Sequence, residues 1–249
     1  MTVPSALDRD AVLVVGASGE IGSAVARQLL ASGRPVGLHY RSNAVAVTPL
    51  AAAAAGTRSS LLQAVLDDEL ACNALADRFI AAFPQASGLA MCYGEVGWCD
   101  WRALEAADWN KVFFQHCIAP FLLARRLLPH FEKRGGGSIV YLSSISLKYG
   151  GSEKSLHYAA AKAALETSML GLAKTVASKA IRINGVRAGF VDTPQQQTGR
   201  TPAELAARIE KIPLRRAGTP DEIAGAFSYL LSDSATFVTA QLLTAAGGD

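Results

Sequence analysis

Ala11-Val-Leu-Val-Val-Gly16-Ala-Ser-Gly19-Glu-Ile-Gly22-Ser-Ala-Val-Ala-Arg-Gln-Leu-Leu-Ala31 changes character twice in one short segment. Ala11 to Val15 is an apolar, mostly β-branched run stopped by glycine, which predicts a buried strand. Gly16, Gly19 and Gly22 follow at three-residue spacing, and Ser23 to Ala31 then sets Val25, Leu29 and Leu30 at helical spacing. Strand, glycine turn and helix in succession offer a phosphate bare backbone N–H groups and the positive end of a helix. Strand-to-helix turns also use glycine for geometry alone, so the spacing by itself leaves both readings open.

The same alternation continues down the chain. Strands are predicted at Pro35–Tyr40, Ser60–Leu66, Gly88–Cys92, Ile139–Leu142, Ile181–Val186 and Gln241–Ala245. Between them fall an alanine-rich helix that includes Leu50–Ala55 and amphipathic or apolar helices at Glu69–Phe83, Trp101–Val112, Val112–Glu132 and Tyr158–Ala177. Pro202–Lys211 and Pro220–Leu231 read as later helices, Ala188–Thr201 as a loop, and Pro120 as a kink or restart. Strands alternating with helices predict an α/β fold: a single-domain, doubly wound parallel sheet (Rossmann fold) with helices on both faces, spanning 1–249. In such sheets ligands lie beyond the carboxyl ends of the strands, and the glycine turn, Ser143-Ser144 and Gly189 all follow predicted strands.

Composition narrows the function. Half of the 249 residues are hydrophobic and 18% are charged, which excludes disorder. The net charge of +3 is dispersed, with no basic run interleaved with aromatics, so nucleic acid is not an expected partner. The apolar run Cys117–Leu123 is too short for a bilayer and ends at Arg125-Arg126. The first residues lack the order of a signal peptide, and Cys72, Cys92, Cys99 and Cys117 show no metal or disulfide spacing. The expectation is a cytoplasmic protein with no metal and no membrane partner.

A second segment carries proton chemistry. Ser143-Ser-Ile-Ser-Leu-Lys-Tyr-Gly-Gly-Ser-Glu-Lys-Ser-Leu-His-Tyr158-Ala-Ala-Ala-Lys162 leaves a predicted strand and enters a predicted helix. Tyr158 and Lys162 then lie one turn apart on the same face. An ammonium beside a phenol favours the phenolate and lowers its pKa, and a serine hydroxyl from the strand end can hold a carbonyl oxygen. Such a site lacks only a hydride donor, although Tyr and Lys four apart are also common on ordinary helices. The strand before Arg41 carries no acid for a ribose 2′-hydroxyl; Arg41 and Ser42 instead suit a 2′-phosphate, which favours NADPH over NADH.

Taken together, these residues resemble the short-chain dehydrogenase/reductase family from about Ala11 to Gly248. The resemblance rests on the glycine turn, Ser144 with Tyr158-Ala-Ala-Ala-Lys162, Ile181-Arg-Ile-Asn184, Gly189-Phe-Val-Asp-Thr193, the segment Pro213 to Ile223 and the closing Gln241–Gly248. Tyr40-Arg-Ser-Asn43 is similar to members that reduce 3-oxoacyl thioesters, such as 3-oxoacyl-[acyl-carrier-protein] reductases. The resemblance implies Tyr158 as proton donor, Ser144 as holder of the carbonyl oxygen, and Lys162 on the nicotinamide ribose. It implies cofactor contacts from Gly16, Ser18, Gly19, Glu20, Ile21, Gly22, Tyr40, Arg41, Ser42, Leu66, Gly94, Gly189, Val191 and Thr193. It also implies a substrate-covering segment at about 190–217 and a homo-oligomer, tetramer or dimer, in contact through the long helices from Val112 and Tyr158.

The chain departs from the family pattern at several places. Glu20 replaces a glycine, Val65 an aspartate that contacts adenine, Met91-Cys-Tyr-Gly94 an Asn-Asn-Ala-Gly, and Ala188 a proline. Cys92 is expected to be a small buried apolar residue. His116, seven residues after Trp109, stands where an asparagine anchors a water behind the lysine, so it is expected in the proton relay. His157 is expected at a helix start bordering the cleft, while His39 and His130 are expected to be structural or exposed. The function expected is NADPH-dependent reduction of a ketone in a 3-oxoacyl thioester or polyketide-type intermediate. A family member acting on a free ketone or alcohol is one alternative, and a catalytically weak binding or assembly partner is the other.

Overall fold

The structure, a computed structural model, describes residues 10–53, 56–198 and 200–249. The expected leaderless start (1–9), the end of the predicted alanine-rich helix at Ala54-Ala55, and Gly199 within the expected loop lie outside the described residues.

Seven strands form one all-parallel sheet in the order β3-β2-β1-β4-β5-β6-β7. They are β1 (Val12–Val15), β2 (Val36–Tyr40), β3 (Ser59–Gln63), β4 (Gly88–Met91), β5 (Gly137–Ser144), β6 (Ile181–Ala188) and β7 (Leu242–Ala245). The helices are α1 (Glu20–Ala31), α2 (Ala44–Ala52), α3 (Glu69–Ala82), α4 (Ala106–Phe113), α5 (Ala119–Lys133), α6 (Leu156–Val176), α7 (Pro194–Gln197), α8 (Pro202–Glu210) and α9 (Pro220–Leu231). Because side chains alternate along a strand, β1 feeds two cores. Leu13 and Val15 pack with Phe79 of α3, Leu123 and Leu127 of α5 and Leu165 of α6. Val12 and Val14 pack on the other face with Val25 and Leu29 of α1 and Ile223 and Phe227 of α9. Both cores are closed, which accounts for the near-continuous apolar strands.

The chain runs outward from β1 to β3 and then returns to place β4 on the other side of β1, so the strand order reverses between β1 and β4. Crevices form at such switch points. Gly22 lets α1 start close against the turn there: a Cβ at this position would come within 2.1 Å of the Gly16 carbonyl oxygen.

The short helix with an acidic start expected within Trp101–Val112 is α4, where the Glu105 N–H donates to the Asp108 carboxylate at 3.0 Å. Two other local expectations are corrected. The restart expected at Pro120 is real but begins earlier: Phe114–Ile118 form a π-helical turn between α4 and α5, and Pro120 sits in the first turn after it, where a missing N–H costs little. The predicted loop 188–201 contains α7. Among the described residues no helix is long and apolar enough to cross a membrane.

Candidate active site

The carboxyl edge of the sheet holds a cavity of about 410 Å³. At one end stands the start of α1, whose N-cap Gly19 has no side chain to accept from the first-turn N–H groups. Gly16, Ser18, Gly19, Glu20 and Ile21 line this end, followed by Arg41 and Ser42 beyond β2. At the other end β5 brings Ser144, and α6 brings Tyr158 and Lys162; Gly94, His116, Gly189, Val191 and Thr193 complete the wall. Of the residues named from sequence, Gly22, Tyr40 and Leu66 do not line the cavity. Gly22 packs α1 on the turn, Leu66 is 2% exposed within the core, and Tyr40 leans on the opposite core.

The glycine turn is held by a residue that sequence patterning left in the background. His39 is fully buried, and its Nδ1 accepts the Gly16 N–H at 3.0 Å. Its Nε2 therefore carries the proton and donates to the Ala64 carbonyl at 3.2 Å, while its own carbonyl accepts the Ala17 N–H at 2.8 Å. Burial lowers its pKa from 6.5 to about 4. The unfolded chain thus takes up this proton first, so the stabilisation from neutral His39 is complete above pH 6.5 and is lost as the pH falls to about 4. The loss amounts to about 3 kcal/mol. Denaturation midpoints between pH 7 and pH 4.5 should fall more steeply for the wild type than for His39→Gln, which accepts without titrating in this range. Equal slopes would contradict this role.

Arg41 does not stand free. Its Nη2 donates to Glu95 Oε1 at 2.9 Å, with both side chains about half exposed. Glu95, like Gln115, lines the cavity and carried no signal in the sequence; the chain brings Glu95 to Arg41 from 54 residues away.

The hydroxyl end is ordered by short contacts. Ser144 Oγ accepts the Ser146 N–H at 3.1 Å, and its own O–H is turned toward the Tyr158 phenol at the cavity wall. Lys162, buried, donates from Nζ to the Leu142 carbonyl at 2.6 Å, and its Nζ lies 5.7 Å from the centre of the Tyr158 ring. Burial lowers the Lys162 pKa to about 7 against the opposing pull of Cys92 and Glu166. Burial also pushes the Tyr158 phenol up to about 12, with the Ser144 hydroxyl alone pulling it down. The expected depression of Tyr158 by Lys162 is not seen here: burial governs the phenol, and Lys162 is not among the groups that shift it.

His116 sits in the π-helical turn, 2% exposed. Its Nε2 donates to the Glu95 carbonyl at 2.8 Å, leaving Nδ1 as a buried acceptor with no described partner. Its ring meets the Tyr158 ring edge-to-face at 4.9 Å between centroids, and it lies against Gly94. Burial, and then the Lys162 charge, hold its pKa well below 6.5. Cys92 is corrected from plain core to cavity wall facing Lys162, with its thiol pushed up by burial. His157 starts α6 as expected but is fully buried, bonded through Nε2 to the Gly97 carbonyl at 2.9 Å.

A parallel sheet with a glycine-turn crevice, and Ser, Tyr and Lys at the opposite end of the same cavity, defines a nicotinamide-type oxidoreductase, and the comparisons agree: the chain belongs to the short-chain dehydrogenase/reductase family. The family model described as enoyl-(acyl carrier protein) reductase matches residues 16–248. The chain is 34% identical to the uncharacterized oxidoreductase YmfI of Bacillus subtilis (strain 168), covering 95% of this chain and 97% of that protein. It is 32% identical to the cis-4-hydroxycyclohexanecarboxylate dehydrogenase of Sinomonas cyclohexanicum, covering 95% and 94%. A solved 7α-hydroxysteroid dehydrogenase, complexed with NADH and 7-oxo glycochenodeoxycholic acid, superposes with a TM-score of 0.91 at 26% identity, over 99% of this chain and 98% of that one. The chain is thus an oxidoreductase of the class acting on CH–OH and C=O groups.

Proposed function

We propose that the chain is an NADPH-dependent carbonyl reductase acting on a ketone of a 3-oxoacyl thioester or polyketide-type intermediate. The observation that carries the reading is the convergence of Ser144, Tyr158 and Lys162 on the cavity whose other end is the uncapped start of α1. A bound nicotinamide supplies the hydride. The N–H groups opening α1, with Gly16 and Ser18, hold the pyrophosphate. Lys162 holds the nicotinamide ribose, and Gly94, Gly189, Val191 and Thr193 shape the seat of the ring. Ser144 turns its O–H from the Tyr158 phenol to the carbonyl oxygen, and Tyr158 passes its proton to the alkoxide as charge develops there. A phenol held at about 12 is protonated at neutral pH and so carries the proton this role needs. His116 positions the Tyr158 ring, and its open Nδ1 offers an acceptor to a relay water.

The cofactor preference rests on Arg41 and Ser42. The Arg41–Glu95 pair is half exposed and worth under about 1 kcal/mol, so a 2′-phosphate can displace Glu95. Binding titrations should show NADPH preferred over NADH by about tenfold or more, with Arg41→Ala removing most of the preference and Glu95→Gln enlarging it. Equal affinities in the wild type would contradict the assignment. A second reading, reduction of a ring ketone, is supported by the names of the cyclohexanecarboxylate and hydroxysteroid dehydrogenases above and by the aromatic wall of the adjoining cleft, where Trp98 and Phe190 stand.

The segment 190–217 covers the substrate in either reading. A homotetramer or dimer is supported by Phe121 and Leu170, exposed on α5 and α6, and by Ile118 in the turn before α5. Following NADPH oxidation over a panel of 3-oxoacyl thioesters and cyclic ketones tests the activity. No turnover on any of them, with Tyr158→Phe indistinguishable, would favour the binding-partner alternative.

A further inference from the structure

Beyond Ser144 and Tyr158 the catalytic cavity opens into a second cleft of about 490 Å³, which also shares Gly189 and Gln196 with it. Its far wall is cationic: Arg200, Arg208 and Lys211 face a single carboxylate side chain, that of Asp249. That carboxylate is already engaged, since Asp249 pairs with Arg208 and accepts from the Tyr149 hydroxyl. Arg200 is not matched in this way. Its guanidinium carbon lies 4.6 Å from the centre of the Trp98 ring and 5.8 Å from that of Phe190, within cation–π range of both. Nη1 donates to the carbonyl and the side-chain oxygen of Gln196, at 2.7 and 2.6 Å. Nε and Nη2 donate to no described group, and no described carboxylate pairs with Arg200. Burial and the neighbouring Arg208 weigh against its charge, and the Glu204 carboxylate, held in the cap of α8 by Thr201, offsets only part of this. A guanidinium held among aromatic rings with part of its donor fork open is suited to an oxyanion such as a carboxylate or phosphate.

We infer that the substrate carries an anionic group, a carboxylate or a phosphate, remote from its reacting carbonyl, and that Arg200 is the residue that receives it. This rests on the carbonyl-reductase reading and deepens it by naming the substrate class. It narrows a free ketone to a keto acid and a thioester to one bearing phosphate on its carrier arm.

The experiment compares 4-oxocyclohexanecarboxylate with its methyl ester, and acetoacetyl-coenzyme A with the phosphate-free thioester acetoacetyl-N-acetylcysteamine, in turnover with NADPH and in calorimetric binding to the whole protein. For one pair the charged member should show kcat/KM at least about tenfold higher, the pair telling carboxylate from phosphate. Arg200→Gln should bring that ratio toward one, and Arg200→Lys, which keeps the charge, should retain part of it. If the glutamine variant does not fold, the lysine variant's weakened ratio and the wild-type ratio still decide. Equal efficiency within both pairs, with turnover intact, overturns the anion site and leaves the reductase reading standing. No turnover but tighter binding of a charged member overturns the reductase reading and leaves the anion site standing. Neither turnover nor preferential binding overturns both.

Discussion

Replacing Tyr158 by phenylalanine should lower ketone reduction by about 10² to 10⁴ fold while leaving the fold and cofactor binding nearly intact. The substitution removes one oxygen from a ring that packs edge-to-face on His116, so the packing survives. What is lost is the proton donor. No nearby group replaces it: Lys162 has its ammonium bonded to the Leu142 carbonyl, and His116 is held neutral by burial with its one N–H given to the Glu95 carbonyl. Ser144 alone would stabilise the alkoxide without protonating it readily. Single-turnover NADPH oxidation by the variant checks this, with a thermal melt to show that the protein remains folded. A variant within a factor of a few of the wild type would remove Tyr158 from the chemistry.

The second large effect is expected from Gly94→Ala. Gly94 has φ +122°, a conformation in which a side chain is strained, and a Cβ there would stand 2.1 Å from His116 Cε1. The imidazole is flanked by its bond to the Glu95 carbonyl and by the Tyr158 ring, so it cannot yield without disturbing one of them. Backbone strain and overpacking together should cost about 2–4 kcal/mol of stability. Reduction should fall as well, because Tyr158 loses its edge contact. Removing the imidazole in the double variant Gly94→Ala with His116→Ala should return the overpacking part of the stability loss and leave the backbone part. Urea denaturation of the single and double variants measures both. Additive losses would show that the ring and the glycine are not in contact.

Much of this arrangement is legible in the chain because it is written in local periodicity. The apolar runs, the three-residue glycine spacing and the four-residue Tyr158–Lys162 spacing each report one element, and their alternation predicts the sheet. Contacts between elements are not written that way. His39 is an ordinary strand residue until β1 and β2 pair and bring the Gly16 N–H to its ring. Glu95 reaches Arg41 only across the switch point. Pro120 hints at a break, but the π-helical turn that seats His116 comes from how α4 and α5 are joined, not from a propensity. The Tyr158 pKa is not legible in the Tyr158–Lys162 spacing, because spacing reports the neighbouring charge and not the burial that both groups undergo.

The measurement closest to the central claim follows the hydride itself. The protein is incubated with a ketone substrate and NADPH deuterated at both C4 positions, and the alcohol product is examined by mass spectrometry. One deuterium at the carbinol carbon, in an amount equal to the NADPH oxidised and abolished with turnover in Tyr158→Phe, is the expected result. NADPH left unoxidised across the ketone panel, or an alcohol formed without deuterium at that carbon, would contradict it.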